Sequence, residues 1–277
     1  QHWLEAAADN GEALAERILG SAYLTGEGAE ADPERGVSLL LRAAAKGEPG
    51  AQSNLGYAYA AGIGVEQDDA RAADWYRMAA DQGLTRAALV LGEFYYTGRG
   101  VEKDLEQAVK YFEIAYLGRD PVAAARLGQM LVSGEIAPAD EPEAGVVWVA
   151  TMAETGDAAA RDWLLERAQS GEPYAYLRLA QIYRDGTGVD ADPVRAAAYF
   201  IKSATGGNRD AQHALAGLYA SGTGVDQDYV EAHKWANVAA AAGSDAAAEQ
   251  RDVLAALMTP EQIAEAQERA RGYMRNP

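Results

Sequence analysis

Cysteine is absent from this 277-residue chain, which excludes disulfides, thiolate zinc sites and cysteine nucleophiles and leaves the redox compartment open. Histidine is nearly as scarce. His2, His213 and His233 are the three; none has a second histidine at metal-ligand spacing, and no His-Glu-x-x-His string occurs. No apolar run approaches the length of a membrane span, so this segment does not insert directly into a bilayer. Basic residues are the next shortage: 24 Lys and Arg against 42 Asp and Glu give a net charge of −18. Nucleic acid is thereby excluded as a partner and an anionic membrane surface is disfavoured, because phosphate binding draws on clustered cations. Such a field would steer a basic protein segment, although an acidic surface also serves simply to keep an apolar chain soluble.

What the chain does have is a beat. Glycine-x-glycine occurs at Gly26/Gly28, Gly62/Gly64 and Gly98/Gly100, then at Gly186/Gly188 and Gly222/Gly224, in steps of 36 residues within each block. Gly134 marks a degenerate copy. Aspartate keeps the same time at Asp32, Asp68, Asp104, Asp140, Asp192 and Asp228, broken only between Asp140 and Asp192, where the step is 52. A fixed period in this range signals a solenoid, whose units cannot bury their apolar faces alone and stack to do so. With 49% hydrophobic and 24% charged residues, the composition suits a folded array with a sizeable interior.

One repeat shows the physics. Ala51, Leu55 and Tyr59, with Ala58 beside them, form one face of a first helix. Gly62-Ile63-Gly64 ends it, since glycine reaches positive φ without steric cost, and Val65 plugs the turn. Asp68 is the expected N-cap of a second helix; at the sister positions Asp32-Pro33 and Asp192-Pro193, proline occupies the first helical position, where its missing N–H costs nothing. Ala72, Trp75, Tyr76, Ala79 and Ala80 carry that helix's apolar stripe until Gly83 ends it. Gly56, Gly92, Gly128, Ala180 and Ala216 keep one position small so that a neighbouring helix approaches closely, while Tyr23, Tyr59, Tyr95, Tyr183 and Tyr219 fill the space three residues on. The aromatic ladder therefore reads as core.

The string Leu55-Gly56-x-x-Tyr59-x-x-Gly62-x-Gly64-Val65-x-x-Asp68, followed by Ala72-x-x-Trp75-Tyr76-x-x-Ala79-Ala80-x-x-Gly83, resembles the Sel-one-like repeat, a relative of the tetratricopeptide repeat. The likeness covers nearly the whole chain. It implies an all-α fold, a right-handed α/α superhelix of 36-residue helix pairs, and a role in assembling protein complexes, often in bacterial envelopes. Trp235-Ala236-Asn237 and then Met258-Thr259-Pro260-Glu261-Gln262 look like the family's usual bacterial ending. Physically, Thr259 and Gln262 make a capping box, and Pro260 opens a final helix that closes the stack.

The array is expected to be irregular in the middle. Asp162-Trp163 relates to Gly171 as Asp74-Trp75 relates to Gly83, so the sixteen surplus residues read as an extra second-type helix. The expected organisation is an N-terminal sub-array over 1–156, the half-repeat helix over 157–171, a repeat pair over 172–243 and capping helices over 244–277. The loop at Gly134-Glu135-Ile136-Ala137-Pro138 lacks its second glycine. Trp3 precedes Gly11 in the register of Trp75, which places the chain's opening inside a second helix. A partner helix is thus expected upstream, and a signal peptide or membrane tether before it would put these repeats in the bacterial periplasm; the cytoplasm is the alternative.

Chemistry is thin. The glycine pairs follow helices rather than strands and lack the Lys-Ser/Thr of a phosphate loop. Asp190-x-Asp192 and Asp226-x-Asp228 lack the further ligands of a calcium loop, and capping accounts for them better. No catalytic residue, metal or cofactor is singled out, and the chain reads as a non-enzymatic scaffold that binds a partner protein or peptide in its concave groove. A glycan or peptidoglycan-fragment binder is the alternative, and a hydrolase is the minor one. Transferring the tetratricopeptide register places Arg17, Ser53, Leu89, Ala125, Leu177 and His213 on the inner surface. A second column holds Ser21, Tyr57, Glu93, Gln129, Gln181 and Gly217, and a third Leu24, Tyr96 and Arg184. Tyr57, Glu93 and Tyr96 together suggest two rings beside a carboxylate, suited to a basic or aromatic-containing peptide.

Overall fold

The structure, a computed structural model, describes residues 2–137 and 142–275. Among the described residues it is all α, with sixteen helices and no strand. Pro138 and Asp140, the latter one of the periodic aspartates, lie outside the described residues. The chain divides into two compact units, Gln1–Leu127 and Gly128–Pro277.

The first unit holds α1 (His2–Asp9), then three helix pairs: α2 (Ala13–Thr25) with α3 (Pro33–Ala45), α4 (Pro49–Ala61) with α5 (Asp69–Ala80), and α6 (Thr85–Thr97) with α7 (Leu105–Leu117). It ends within α8 (Pro121–Val132). In each pair the two helices pack on each other, and α3 and α5 then pack on α4 and α6, the first helices of the following pairs. Leu40, Leu55, Leu91 and Phe112 are fully buried, with the alanine stripes around them.

The loop between the two helices of a pair is built the same way each time. Gly26, Gly62 and Gly98 close their first helices in the left-handed conformation, with φ of 75°, 68° and 77°. The side chains of Asp32, Asp68 and Asp104 cap the second helices, each accepting a hydrogen bond from a backbone N–H two or three residues on. The same aspartates donate their own backbone N–H to the carbonyls of Tyr23, Tyr59 and Tyr95. Every loop is thus tied at both ends, and in the second and third motifs the second glycine also tucks against the preceding repeat, whereas Gly28 has open space around it. A Cβ on Gly64 would overlap the carbonyl of Pro33, and one on Gly100 the carbonyl of Asp69.

The second unit holds the rest of α8, then α9 (Pro142–Ala153), α10 (Ala158–Gln169), α11 (Pro173–Asp185) with α12 (Pro193–Thr205), α13 (Arg209–Ser221) with α14 (Tyr229–Ala241), α15 (Asp245–Ala255) and α16 (Pro260–Arg275). The surplus residues form one helix, α10, which Asp157 caps and which packs on both α9 and α11. Because α10 has no hairpin partner, Gly188 sits against the Ala153 carbonyl and Gly156 at the end of α9, where Gly224 meets Pro193 at the start of α12. The Thr259–Gln262 capping box forms in both directions, at 2.9 and 3.3 Å. From α16, Tyr273 donates to the carbonyls of Ala204 and Thr205 at the end of α12.

Candidate functional site

Small residues on the first helices decide what reaches the surface beside them. A Cβ on Gly56 would stand 2.8 Å from the Tyr76 ring, so only glycine lets that ring from α5 lie against α4. Tyr76 then floors a cleft between α4 and α6 of about 480 Å³, lined also by Ser53, Asn54 and Tyr57 of α4 and by Arg86 and Val90 of α6. Tyr57 is 50% exposed, whereas Tyr76 is buried. Burial pushes the Tyr76 hydroxyl up to about 12, against the opposing pull of Arg86 and Arg99. The phenol therefore keeps its proton at neutral pH and stays a donor.

The remaining sequence candidates are dispersed. Arg17 is half-buried, crosses the side-chain-free Gly50, and pairs with Glu48 at 3.2 Å. Ser21 is half-buried on α2. Glu93 is half-buried and holds Arg126 through its Nε, so it is a neutralised carboxylate rather than an open one. Tyr96 faces Lys103 of the following loop, whose Nζ stands 5.5 Å from the ring centroid. In the second unit, Gln129 is exposed on α8, Gln181 accepts from Arg178 at 3.0 Å, Arg184 forks onto Asp185 at 2.7 and 2.8 Å, and His213 is half-buried on α13. Of the ten candidates, Ser53 and Tyr57 share the cleft.

Leu24 and Leu177, which the transferred register puts on the open face, are buried. Leu24 belongs to the core cluster of Val37 and Leu40, because the neighbouring second helix, α3, covers that side of α2 and its Gly36 meets the Leu24 backbone. Of the cleft's other residues, Asn54 and Val90 lie one position away from the chosen columns, and Arg86 lies three residues before Leu89. The signal that finds them is helical geometry: positions 50, 54 and 57 share one face, and 86, 90 and 93 are the same face one repeat later.

A second kind of depression lies along the loops, one beside each of four periodic tyrosines. Tyr23, Tyr59, Tyr95 and Tyr183 each border one, together with the capping aspartate of their loop. Arg35, Arg71 and Arg195 stand over the rings of Tyr23, Tyr59 and Tyr183 at 4.5, 5.7 and 4.7 Å. Each depression is lined by at least two carboxylates. Among the described residues no group of three or more His, Asp or Glu is arranged to hold a metal ion. Asp192 and Asp228 spend their carboxylates on the N–H groups of Arg195, Val230 and Glu231.

The periodic capped loops correspond to a known repeat. The Sel1 repeat model matches residues 1–12, 13–48, 49–84, 85–120, 121–154, 173–208 and 209–244. This chain belongs to the Sel1 repeat family. Each full match opens at a first helix and closes after a second, and residues 155–172, which contain α10, fall outside all of them. Among solved structures, a Sel1 repeat protein from Oxalobacter formigenes is 32% identical, over 91% of this chain and 78% of that one, with a TM-score of 0.46. A protective antigen present in uropathogenic Escherichia coli strains, displaying an SLR fold, is 27% identical over 99% of this chain and 71% of that one, with a TM-score of 0.48. Cysteine rich protein B of Helicobacter pylori is 25% identical over 44% of this chain and 87% of its own, with a TM-score of 0.37. No curated protein matches the chain significantly. Sel1 repeats generally mediate protein interactions and are typically non-enzymatic.

Proposed function

We propose that this Sel1 repeat chain is a non-enzymatic scaffold that holds a segment of a partner protein on the first-helix face of its N-terminal unit, at the α4–α6 cleft. One observation carries the reading. Ser53, Asn54, Tyr57 and Arg86 converge on the cleft, and among the described residues none of their side chains makes a hydrogen bond or an ion pair. Elsewhere on the molecule, arginines that lie near carboxylates pair with them, as Arg99 does with Asp69 and Arg126 with Glu93. Polar groups left without partners around a concave, partly apolar wall are what an incoming backbone or side chain needs. A volume of this size accommodates a few side chains of a peptide.

Capture of partners from a bacterial extract, by the wild-type chain beside Tyr57→Ala and with mass spectrometry as the readout, tests the reading. A protein recovered by wild type and lost with the variant supports it; equal recovery by both overturns it. Titration with peptidoglycan fragments in the same series tests the glycan alternative, which draws on the same half-exposed ring. We carry the bacterial envelope as the setting of this scaffold, to be decided by fractionation of the native protein. Among the described residues no helix is long and apolar enough to cross a membrane.

A further inference from the structure

We propose that the segment received by the α4–α6 cleft is acidic: an extended stretch in which an aspartate or glutamate, bound by Arg86, stands next to aliphatic or aromatic residues. The proposal rests on the functional reading above and specifies its ligand. Net charge points the other way, since a chain at −18 should draw cations. The charge, however, is not spread evenly. The four loop-side depressions carry two or more carboxylates apiece, whereas the α4–α6 cleft is lined by no carboxylate and by one cation, Arg86.

The ions near it on the same face are already neutralised. Arg17 is paired with Glu48, and Glu93 with Arg126. That leaves Arg86 as an exposed guanidinium with no hydrogen-bonding or ionic partner among the described residues. A guanidinium presents a fork of donors that matches a carboxylate in two parallel bonds, and a lysine ammonium brought to the same place would meet repulsion.

The rest of the lining says what flanks the acid. The Asn54 amide and Ser53 hydroxyl both donate and accept, which suits the backbone of an extended chain. Val90 and the open half of the Tyr57 ring offer apolar surface beside them. Two repeat steps earlier, the positions equivalent to Arg86 and Val90 are Leu14 and Ile18 on α2, and both are exposed at 56% and 38%. Exposed apolar surface therefore resumes on α2, beyond the Arg17–Glu48 pair that crosses Gly50. An internal segment, acidic at the cleft and apolar towards α2, matches this order of surfaces.

The test is selection of phage-displayed random short peptides on the immobilised full chain, repeated on Arg86→Gln and Tyr57→Ala after circular dichroism and melting have shown that both variants are folded. Enriched peptides should carry Asp or Glu beside aliphatic or aromatic residues. A synthesised winner should bind on the order of tenfold more weakly to Arg86→Gln and lose affinity as salt rises. Winners rich in Lys and Arg, or indifferent to Arg86→Gln yet lost with Tyr57→Ala, overturn the acidic assignment and leave the cleft standing. Winners indifferent to both variants, or no enrichment at all, overturn the cleft itself.

Discussion

The loop edge of these repeats and the face formed by their first helices obey opposite rules. Along the loops, the same glycine, aspartate and tyrosine recur because each is tied to backbone: a left-handed turn, a capped helix start, a tyrosine carbonyl that receives the aspartate's N–H. On the first-helix face of the N-terminal unit, equivalent positions read Leu14, Gly50 and Arg86, or Ser21, Tyr57 and Glu93, with no residue type kept. Packing fixes the first set and leaves the second free to specialise. Repetition in a solenoid thus reports architecture, and its interruption reports where a ligand is to be sought.

The largest expected effect separates two glycines of the same loop motif. Gly100 has φ of 67° and its Cβ would overlap the Asp69 carbonyl; Gly28 has φ of 81° and open space around it. Gly100→Ala combines backbone strain with overpacking and should cost about 3 kcal/mol or more. Gly28→Ala bears the strain alone, about 1 kcal/mol. Chemical denaturation of the two variants measures both. Equal losses would mean that turn conformation, and not the seating of one repeat on the next, is what conserves the motif along the chain.

A second comparison sits between repeats. Glu16 is fully buried and is held by Arg42 at 2.7 Å and by Lys46. Thirty-six residues on, the same two positions are Gln52 and Gln82, joined by a neutral hydrogen bond of 2.7 Å. Glu16→Ala should cost about 2 kcal/mol: breaking a fully buried pair costs about 3–5, but Arg42 and Lys46 are roughly half exposed and turn to water. Replacing Glu16 and Lys46 together by glutamine copies the neutral arrangement and should recover most of that loss, as a double-mutant cycle would show.

Such a pair explains how far the sequence could be read. The helix ends were legible because glycine and aspartate act on backbone within a few residues, and Thr259 with Gln262 for the same reason. Tyr57 and Ser53 were legible as residues free of the core pattern. Glu16 was not, being one acid among many in an acidic chain, and its burial depends on Arg42 and Lys46 arriving from α3. Arg86 was missed because the lack of a partner, on which its proposed role rests, is a property of the fold around it. A smaller prediction follows on the legible side. Asp68→Ala removes the cap at Arg71 N and should cost about 1 kcal/mol, measured as a shift in denaturation midpoint with unchanged slope.

The smallest expected stability effect belongs to Tyr57. Its ring is half exposed and its hydroxyl bonds to nothing among the described residues, so Tyr57→Ala should leave stability within about 0.5 kcal/mol. Tyr59, two residues away, is a periodic tyrosine whose ring packs against the core of the α5–α6 region and lies 5.7 Å from Arg71. Tyr59→Ala should cost several times more, on the order of 2–3 kcal/mol. The two substitutions remove the same atoms from one helix, so the contrast isolates position from chemistry. If partner capture falls with Tyr57→Ala while the melting temperature holds, the ring serves binding. If instead Tyr57→Ala melts as early as Tyr59→Ala, the ring belongs to the packing between α4 and α6, and the distinction between a constrained loop edge and a free first-helix face fails where it matters most.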